Sequence, residues 1–486
     1  MRILFINPAV KVGTNEIWAT SLKLDILNGM SFIPRLAPMI LAALTPKEHS
    51  FRYLDEDLET IDFEKIEADL VALTGMTVQA ERAYYLAEKF RSMGYSVIMG
   101  GIHASSCPEE VALHVDAVCT GEAENYWEEV LKDVENGELK KFYHAKDYPP
   151  VIEQPIPKFD IVNHDLYSVI PIQATRGCPH NCEFCCIKLS SGNKYRKKPV
   201  EQVVAEIKEL EMHNNGPFKK RYHFMDDNLY VDRIYTIELL KALVPLKISW
   251  MGMGTLNVVQ DEEILELIAK SGCRALGIGF ESITEENLIG ANKRTNSIED
   301  YKMAAKILIK RGIIPTGFFI FGFDEDDNEI FKRTTDFIIE SRIIVAYFSI
   351  LTPFPKTALY ERMKDRIFDD NWSHYGSLRC VYKPAKLTPK ESEAGMYSAS
   401  LTVARLDVIK EHLRYFWSHG PWPRNPTLTF KERLIIVALA LKMWRKRDFR
   451  KFLIWAAFKH NSTDIYQIIS SGVYYNETLR YKKLPK

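Results

Sequence analysis

Two series of short apolar segments, each alternating with stretches of helical periodicity, restrict the fold of this chain more than any other feature. The first series occupies residues 3–6, 51–54, 70–73, 96–99 and 117–119; the second occupies 169–174, 222–225, 248–251, 275–280, 314–320 and 345–350. Uninterrupted apolar runs of this length suit strands buried on both faces, and strands alternating with helices build parallel sheets. Helical patterns fall at 38–44, 80–91, from about 124, then at 200–212, 261–270, 298–310 and 330–339. Pro199 stands at the start of the 200–212 pattern, where a missing N–H costs nothing. The sequence therefore predicts an α/β chain with two parallel sheets.

The two series divide the chain. Residues 1–140 read as a doubly wound, Rossmann-like domain of flavodoxin type, and 141–165, with Pro149, Pro150, Pro155 and Pro157, as a linker. Residues 166–365 hold six βα units, a partial version of the eight-unit TIM barrel. Residues 366–486 read as a helical appendage in which aromatic stretches at 412–417, 434–444 and 452–458 interleave with Lys and Arg. Trp417, Trp422, Trp444 and Trp455 among those basic residues suit a cover over the barrel mouth or a helix at a membrane surface. The apolar run 434–441 is too short to span a bilayer, which needs about 20 residues. Lys+Arg and Asp+Glu are both 64, so charge gives no reason to expect nucleic acid as a partner. The start reads as a strand followed by Pro8, unlike a secretory signal, which implies a reducing cytoplasm.

In both series the chemistry-bearing residues stand at strand exits, where parallel α/β folds bind ligands. Thr74-Gly75-Met76, Gly100-Gly101 and Gly121-Glu122 do so in the first series, and Asp226-Asp227-Asn228, Glu281-Ser282 and Asp324 in the second. The first exit of the second series reads Thr-Arg-Gly-Cys-Pro-His-Asn-Cys-Glu-Phe-Cys-Cys, with Cys178, Cys182 and Cys185 at CxxxCxxC spacing. Three thiolates this close can hold three irons of a cubane [4Fe–4S] cluster and leave the fourth open to a small molecule. Zinc is the competing reading, but zinc sites usually add a distant second CxxC pair or histidines, and no second pair stands here.

At this motif the chain resembles the radical S-adenosylmethionine enzymes, and Phe184 before the third cysteine fits their pattern. The resemblance implies that the open iron chelates the methionine moiety of S-adenosylmethionine. It also implies that Glu281 and Ser282 contact the ribose, and that Asp226 and Asp227 lie near the methionine amino group. The Pro353-Phe354-Pro355 exit is family-like, but Gly-Thr usually follows it and this chain has Lys356-Thr357. Cys186 is expected to be a neighbour of the cluster and not a ligand. Arg176 and the Tyr195-Arg-Lys-Lys-Pro199 stretch offer a basic surface for an acidic reductant such as flavodoxin or ferredoxin.

Met99-Gly-Gly-Ile-His-Ala, Pro108-Glu-Glu and Gly121-Glu-Ala-Glu124 resemble the cobalamin-binding domain that precedes many radical S-adenosylmethionine domains. That resemblance implies cofactor contacts from Thr74, Met76, Gln79, Gly100, Gly101, His103, Gly121, Glu122 and Glu124. The DxHxxG motif, whose histidine ligates cobalt in another cobalamin family, is absent, and Met76 is the side chain expected nearest the metal. Within the family the chain is similar to the hopanoid and bacteriochlorophyll methylases. This implies methylation of an unactivated carbon through a 5′-deoxyadenosyl radical and methylcobalamin, on an apolar small molecule. The alternatives are a cobalamin-dependent cyclase that transfers no methyl group and a non-catalytic iron–sulfur regulator or electron carrier. Methylthio transferases carry further N-terminal cysteines, whereas only Cys107 and Cys119 precede the motif here.

Overall fold

The computed structural model describes residues 1–10, 33–145, 154–167, 169–213, 221–293 and 296–420. The first sheet contains β1 (Arg2–Asn7), β2 (Ser50–Asp55), β3 (Leu70–Thr74), β4 (Ser96–Gly100), β5 (Ala117–Thr120) and β6 (Phe142–His144), all parallel in the order β2-β1-β3-β4-β5-β6. Successive side chains of a strand point to opposite faces. Here Ile3, Phe5, Leu70, Ala72 and Ile98 enter one apolar core, and Leu4, Ile6, Val71, Leu73 and Val97 enter the other. The second core is closed by the helix Ala80–Ser92 through Ala83, Leu86, Ala87 and Phe90. The first continues through the helices Leu36–Leu44 and Trp127–Asn136 into the core of the second sheet.

That continuity corrects the reading of 141–165 as a linker. The segment opens with β6 and then buries Phe159 and Val162 in the shared core. Just beyond it the Tyr167 hydroxyl donates to Asp55 at 2.9 Å. Prolines and weak periodicity identify chain without regular structure, and such chain can still be packed.

After β7 (Val169–Ile172), a two-residue antiparallel ribbon forms between β8 (Thr175–Arg176) and β9 (Arg196–Lys197). The second sheet then adds β10 (Arg221–Phe224), β11 (Trp250–Gly254), β12 (Cys273–Glu281), β13 (Ile314–Phe321) and β14 (Val345–Ile350). It runs β7-β10-β11-β12-β13-β14 with every pair parallel, the expected six-stranded partial barrel. Helix Arg233–Leu243, which the sequence reading passed over, supplies the return between β10 and β11.

Helix Pro389–Val403 packs on the barrel flank, where Gly395 lies against the ring of Phe331. Helix Leu406–His419 places Phe416 among Ala275, Ile314 and Val345, near the starts of β12, β13 and β14. Helix Leu406–His419 therefore lies at the amino end of the barrel, whereas the start of the appendage lies at the exits of β13 and β14, where the Tyr382 hydroxyl donates to Gly322 O and Ser377 O accepts from the Ile350 N–H at 2.7 Å. The stretches at 434–444 and 452–458, with Trp422, Trp444 and Trp455, lie outside the described residues. Among the described residues no helix is long and apolar enough to cross a membrane.

Lys356 sits at φ 61, in the left-handed region that glycine enters freely. The lysine thus occupies a conformation suited to the glycine usual at this exit, and Thr357 behind it caps the next helix by accepting from the Tyr360 N–H at 3.1 Å. Lys356→Gly is expected to raise stability by about 0.5–1 kcal/mol, the relief of left-handed strain less glycine's added unfolded-state entropy. The urea midpoint at constant slope measures it, and an unchanged or lowered midpoint contradicts the assignment of strain.

Candidate functional site

The cysteine loop leaves the carboxyl end of β7 and is held by backbone and carboxylate contacts more than by regular structure. Asp226, buried after β10, accepts from the Ala174 N–H at 3.2 Å and from the Thr175 hydroxyl at 2.6 Å, and also from the Thr175 N–H. Asp227 accepts from the Gly177 N–H at 2.8 Å. Burial pushes the Asp226 carboxyl up to about 7 even with the three donors pulling it down. Further along, the Glu183 N–H donates to Ala291 O at 3.0 Å, the Leu359 N–H to Glu183 O at 3.0 Å, and the Asn292 amide to Asn181 O at 2.8 Å. The segments after β12 and β14 thereby fix the loop from its far side.

Cys178, Cys182 and Cys185 are half-buried free thiols, and Cys185 lies within electrostatic reach of the other two. Burial raises all three thiols, Cys185 to about 12, while the Lys293 ammonium pulls Cys178 and Cys182 back down. A nearby cation favours the thiolates that iron requires. Burial alone would lower Lys293, but Glu281, Cys182 and Cys185 hold it above its ordinary value. Three thiols on one braced loop beside a half-buried cation fit a cluster held by three cysteines. Phe184, between two of them, packs against the shared core.

Glu281 ends β12 at φ 64 where the ladder with β13 shifts register, and pairs with Lys293 at 2.8 Å. It is thus brought to the thiols. Its neighbour Ser282 accepts from the Thr284 N–H at 3.1 Å and from Asn287 Nδ2 at 3.2 Å. The two aspartates brace the loop, and Asp324 pairs outward with Arg362 and Arg366 at 2.8 and 2.7 Å. Sequence reasoning missed Lys293, because nothing in its neighbourhood marks it and only the turn after β12 brings it back to the thiols.

A cavity of about 400 Å³ opens at the carboxyl ends of the first sheet. Its walls include Thr74, Met76, Gln79, Gly100, Gly101, Gly121, Glu122 and Glu124, and on the barrel side Gln173, Arg176 and Met225. It lies at the switch point where β1 and β3 part to opposite sides, the position at which doubly wound sheets take ligands. Gln79 organises the floor, accepting from the Met76 N–H at 2.9 Å and donating to Asn7 Oδ1 at 3.2 Å. Gly101, at φ 93, has no room for a side chain: a Cβ would lie 2.8 Å from Thr74 Oγ1. A shaped, mostly apolar cavity with backbone-thin walls fits a large corrin-type cofactor.

Two expectations are corrected here. His103 is fully buried behind the cavity, where its Nε2 shares a 2.7 Å hydrogen bond with Tyr84 and burial lowers its pKa to about 4. The Tyr84 hydroxyl donates to Glu110 at 2.9 Å, and Trp372 Nε1 donates to the same oxygen at 2.7 Å. His103, Cys107 and Glu110 lie within 4.8 Å of one another, and the bonds at His103 Nε2 and Glu110 Oε1 make the group a contact that joins Trp372 to the first domain. The basic stretch is the second correction. Arg176, Arg196 and Lys198 are buried, and Lys198 pairs with Glu206 at 2.7 Å, so these three residues offer no docking surface.

Replacing Cys178, Cys182 or Cys185 by Ala should each abolish assembly of a four-iron cluster. Cys186→Ala should retain it, because Cys186 instead begins the short helix Ile187–Ser190 and lies near Asp227. Iron and sulfide content after anaerobic reconstitution measures this; loss in Cys186→Ala with retention in Cys185→Ala would reverse the assignment.

The comparisons agree with this geometry. The chain matches the B12 binding domain over residues 30–131 and the Radical SAM superfamily over residues 172–338. It is 34% identical over 355 residues to bacteriochlorophyllide d C-12(1)-methyltransferase of Chlorobaculum tepidum, covering 72% of this chain and 78% of the relative. It is 26% identical to the hopanoid C-2 methylase of Rhodopseudomonas palustris, covering 81% and 77%. The radical S-adenosylmethionine methyltransferase TsrM of Kitasatospora setae, solved with cobalamin and a [4Fe–4S] cluster, shares the fold at a TM-score of 0.63 and 15% identity, covering 94% of this chain and 99% of that one. With a B12 domain, a radical S-adenosylmethionine barrel and a methyltransferase relative of this identity and coverage, the chain belongs to the cobalamin-dependent radical S-adenosylmethionine methyltransferases.

Proposed function

We propose that this protein methylates a carbon of a large, mainly apolar ring compound at the mouth of its partial barrel. The observation that carries the reading is the shared wall of the cavity. Gln173 and Arg176, the residues that lead into the cysteine loop, face the same space as the strand exits of the first sheet. When bound, the cluster with S-adenosylmethionine supplies a hydrogen-abstracting radical, and cobalamin supplies the methyl group. The contacts proposed for S-adenosylmethionine come from the braced loop and from Glu281.

The substrate class follows from the barrel lining. Phe319, Phe321 and Phe348 pack in the shared core, with Phe319 against Phe337 of the helix Ile330–Ser341 and Phe321 against Phe331. The alternate residues Phe318, Ile320, Tyr347 and Ser349 are half-buried, and the strand repeat turns them to the barrel interior. Phe318 stacks on Tyr347 at 5.1 Å between ring centroids. An aromatic, aliphatic interior favours ring systems over sugars or peptides. The bacteriochlorophyllide and hopanoid relatives carry names of such substrates, and bacteriochlorophyllide is the first compound to test.

Anaerobic incubation with reductant, S-adenosylmethionine, cobalamin and that substrate should release 5′-deoxyadenosine and a product heavier by one methylene unit. A product without added mass would replace methyl transfer by cyclisation, and no 5′-deoxyadenosine would remove radical catalysis altogether.

Among the described residues no histidine lines the cavity, while the half-exposed Met76 does. Reduced, cobalamin-loaded protein should therefore show a cob(II)alamin electron paramagnetic resonance spectrum free of protein nitrogen superhyperfine splitting. Splitting that disappears in His103→Ala would refute this.

A further inference from the structure

The neck of the cysteine loop carries an arrangement that is unstable by itself. The loop closes where β8 meets β9, and the ladder sets Arg176 directly opposite Arg196. Like charges opposite one another on adjacent strands repel, most of all away from water. Both arginines are buried. What lies between them is Glu122 of the first domain, from the turn after β5. Its carboxylate takes two bonds from Arg196, at 2.7 and 2.5 Å, and lies 3.3 Å from Arg176 Nη1. Glu124 adds a 2.7 Å bond from Arg176, and Gln173 accepts from Arg176 Nε at 2.7 Å.

The neck is also sterically committed. At Gly177, φ 82, a Cβ would stand 2.3 Å from Lys194 O, so the two sides of the loop touch backbone to backbone. Arg196 further donates to Ser191 O at 2.8 Å. Glu122, Glu124, Arg176 and Ser191 all line the 400 Å³ cavity as well. One carboxylate thus forms part of the wall of one cofactor site and neutralises the neck of the other.

We propose that Glu122 is a positioning residue that closes the cluster loop by bridging Arg176 and Arg196, and that through it cobalamin in the cavity holds the iron–sulfur cluster in place. The inference rests on the cofactor reading above. Such coupling is reciprocal: whatever orders the Gly121–Glu124 turn orders the neck, and the assembled loop in turn favours the cofactor-bound turn. Glu124 has a lesser part, because it reaches only Arg176 and is also bonded by Gln154 at 2.8 Å.

The test is the rate at which anaerobically reconstituted full-length protein loses iron to a chelator, with and without cobalamin. Without cobalamin, Glu122→Gln should lose iron about tenfold faster than the wild type, since a buried charge pair is broken while shape and hydrogen bonding are kept. Adding Arg196→Met removes one of the repelling charges and should bring the rate back to within about threefold of the wild type. A merely weakened fold would not be rescued by a second substitution. Cobalamin should slow iron loss in the wild type and give no protection in Glu122→Gln. Iron retention in Glu122→Gln equal to the wild type, or loss that Arg196→Met leaves uncorrected, overturns the bridging role. An absorbance titration with cobalamin, run in parallel, separates the two remaining failures. Binding to the wild type without protection of its iron, or protection in Glu122→Gln equal to the wild type, overturns the coupling, whereas no binding to the wild type overturns the cofactor reading and the coupling with it.

Discussion

A buried carboxylate at the end of β10 is the contact on which the site depends. Asp226 gathers the two N–H groups and the hydroxyl that follow β7, so the chain leaves the barrel in one direction. Taking a carboxylate out of water is costly unless donors replace the hydration. Here the donors belong to the segment that must be held, and the cost of burial stabilises the geometry of the loop. Asp227 repeats the device one residue on, at Gly177, immediately before the first cysteine. The thiols that follow are preorganised by backbone contacts to the exits of two further strands.

The two sheets behave as one body because they share a core. Residues on one face of β1, β3 and β4 join the apolar cluster that also holds Ile172, Phe224, Leu276 and Phe319. Trp372, beyond the barrel, reaches back to Glu110 of the first domain and packs against both cores. A cavity between such elements cannot open by hinging without exposing apolar surface. The separation between the cofactor cavity and the cysteine loop is therefore a property of the packing. That rigidity suits chemistry in which a group on one cofactor must meet a radical generated at another.

Charges at the site are arranged to be spent internally. Arg176, Arg196, Lys198 and Lys293 lie about the loop, and each has an acidic partner within 3 Å. A basic stretch in a sequence suggests a surface. Folded, this one alternates between buried residues, Arg196 and Lys198, and the exposed Lys197, because β9 turns successive side chains to opposite sides.

The strands were legible because a strand covered on both faces must be apolar along its whole length, which is a local property of the chain. β14 falls at Val345–Ile350, and β3 and β4 extend only one residue beyond the expected runs. The CxxxCxxC loop was legible for a related reason: a cluster demands thiols at short spacing, and short spacing is visible in one dimension. The helix Arg233–Leu243 was missed, although Asp232 caps its first turn at Tyr235, because its amphipathic pattern is weak. What the tertiary structure alone decided are the pairings between distant segments. Glu122 meets Arg196 across 74 positions, and Glu281 reaches back to the cysteine loop through Lys293. His103, in a glycine-rich motif that suggested a cofactor contact, was turned inward to Tyr84 by the helix it begins. The sequence by itself determined the elements and the cofactor-bearing motifs, since these need only neighbouring residues. Which side chains face the cavities was decided by packing, since direction depends on what each element is pressed against.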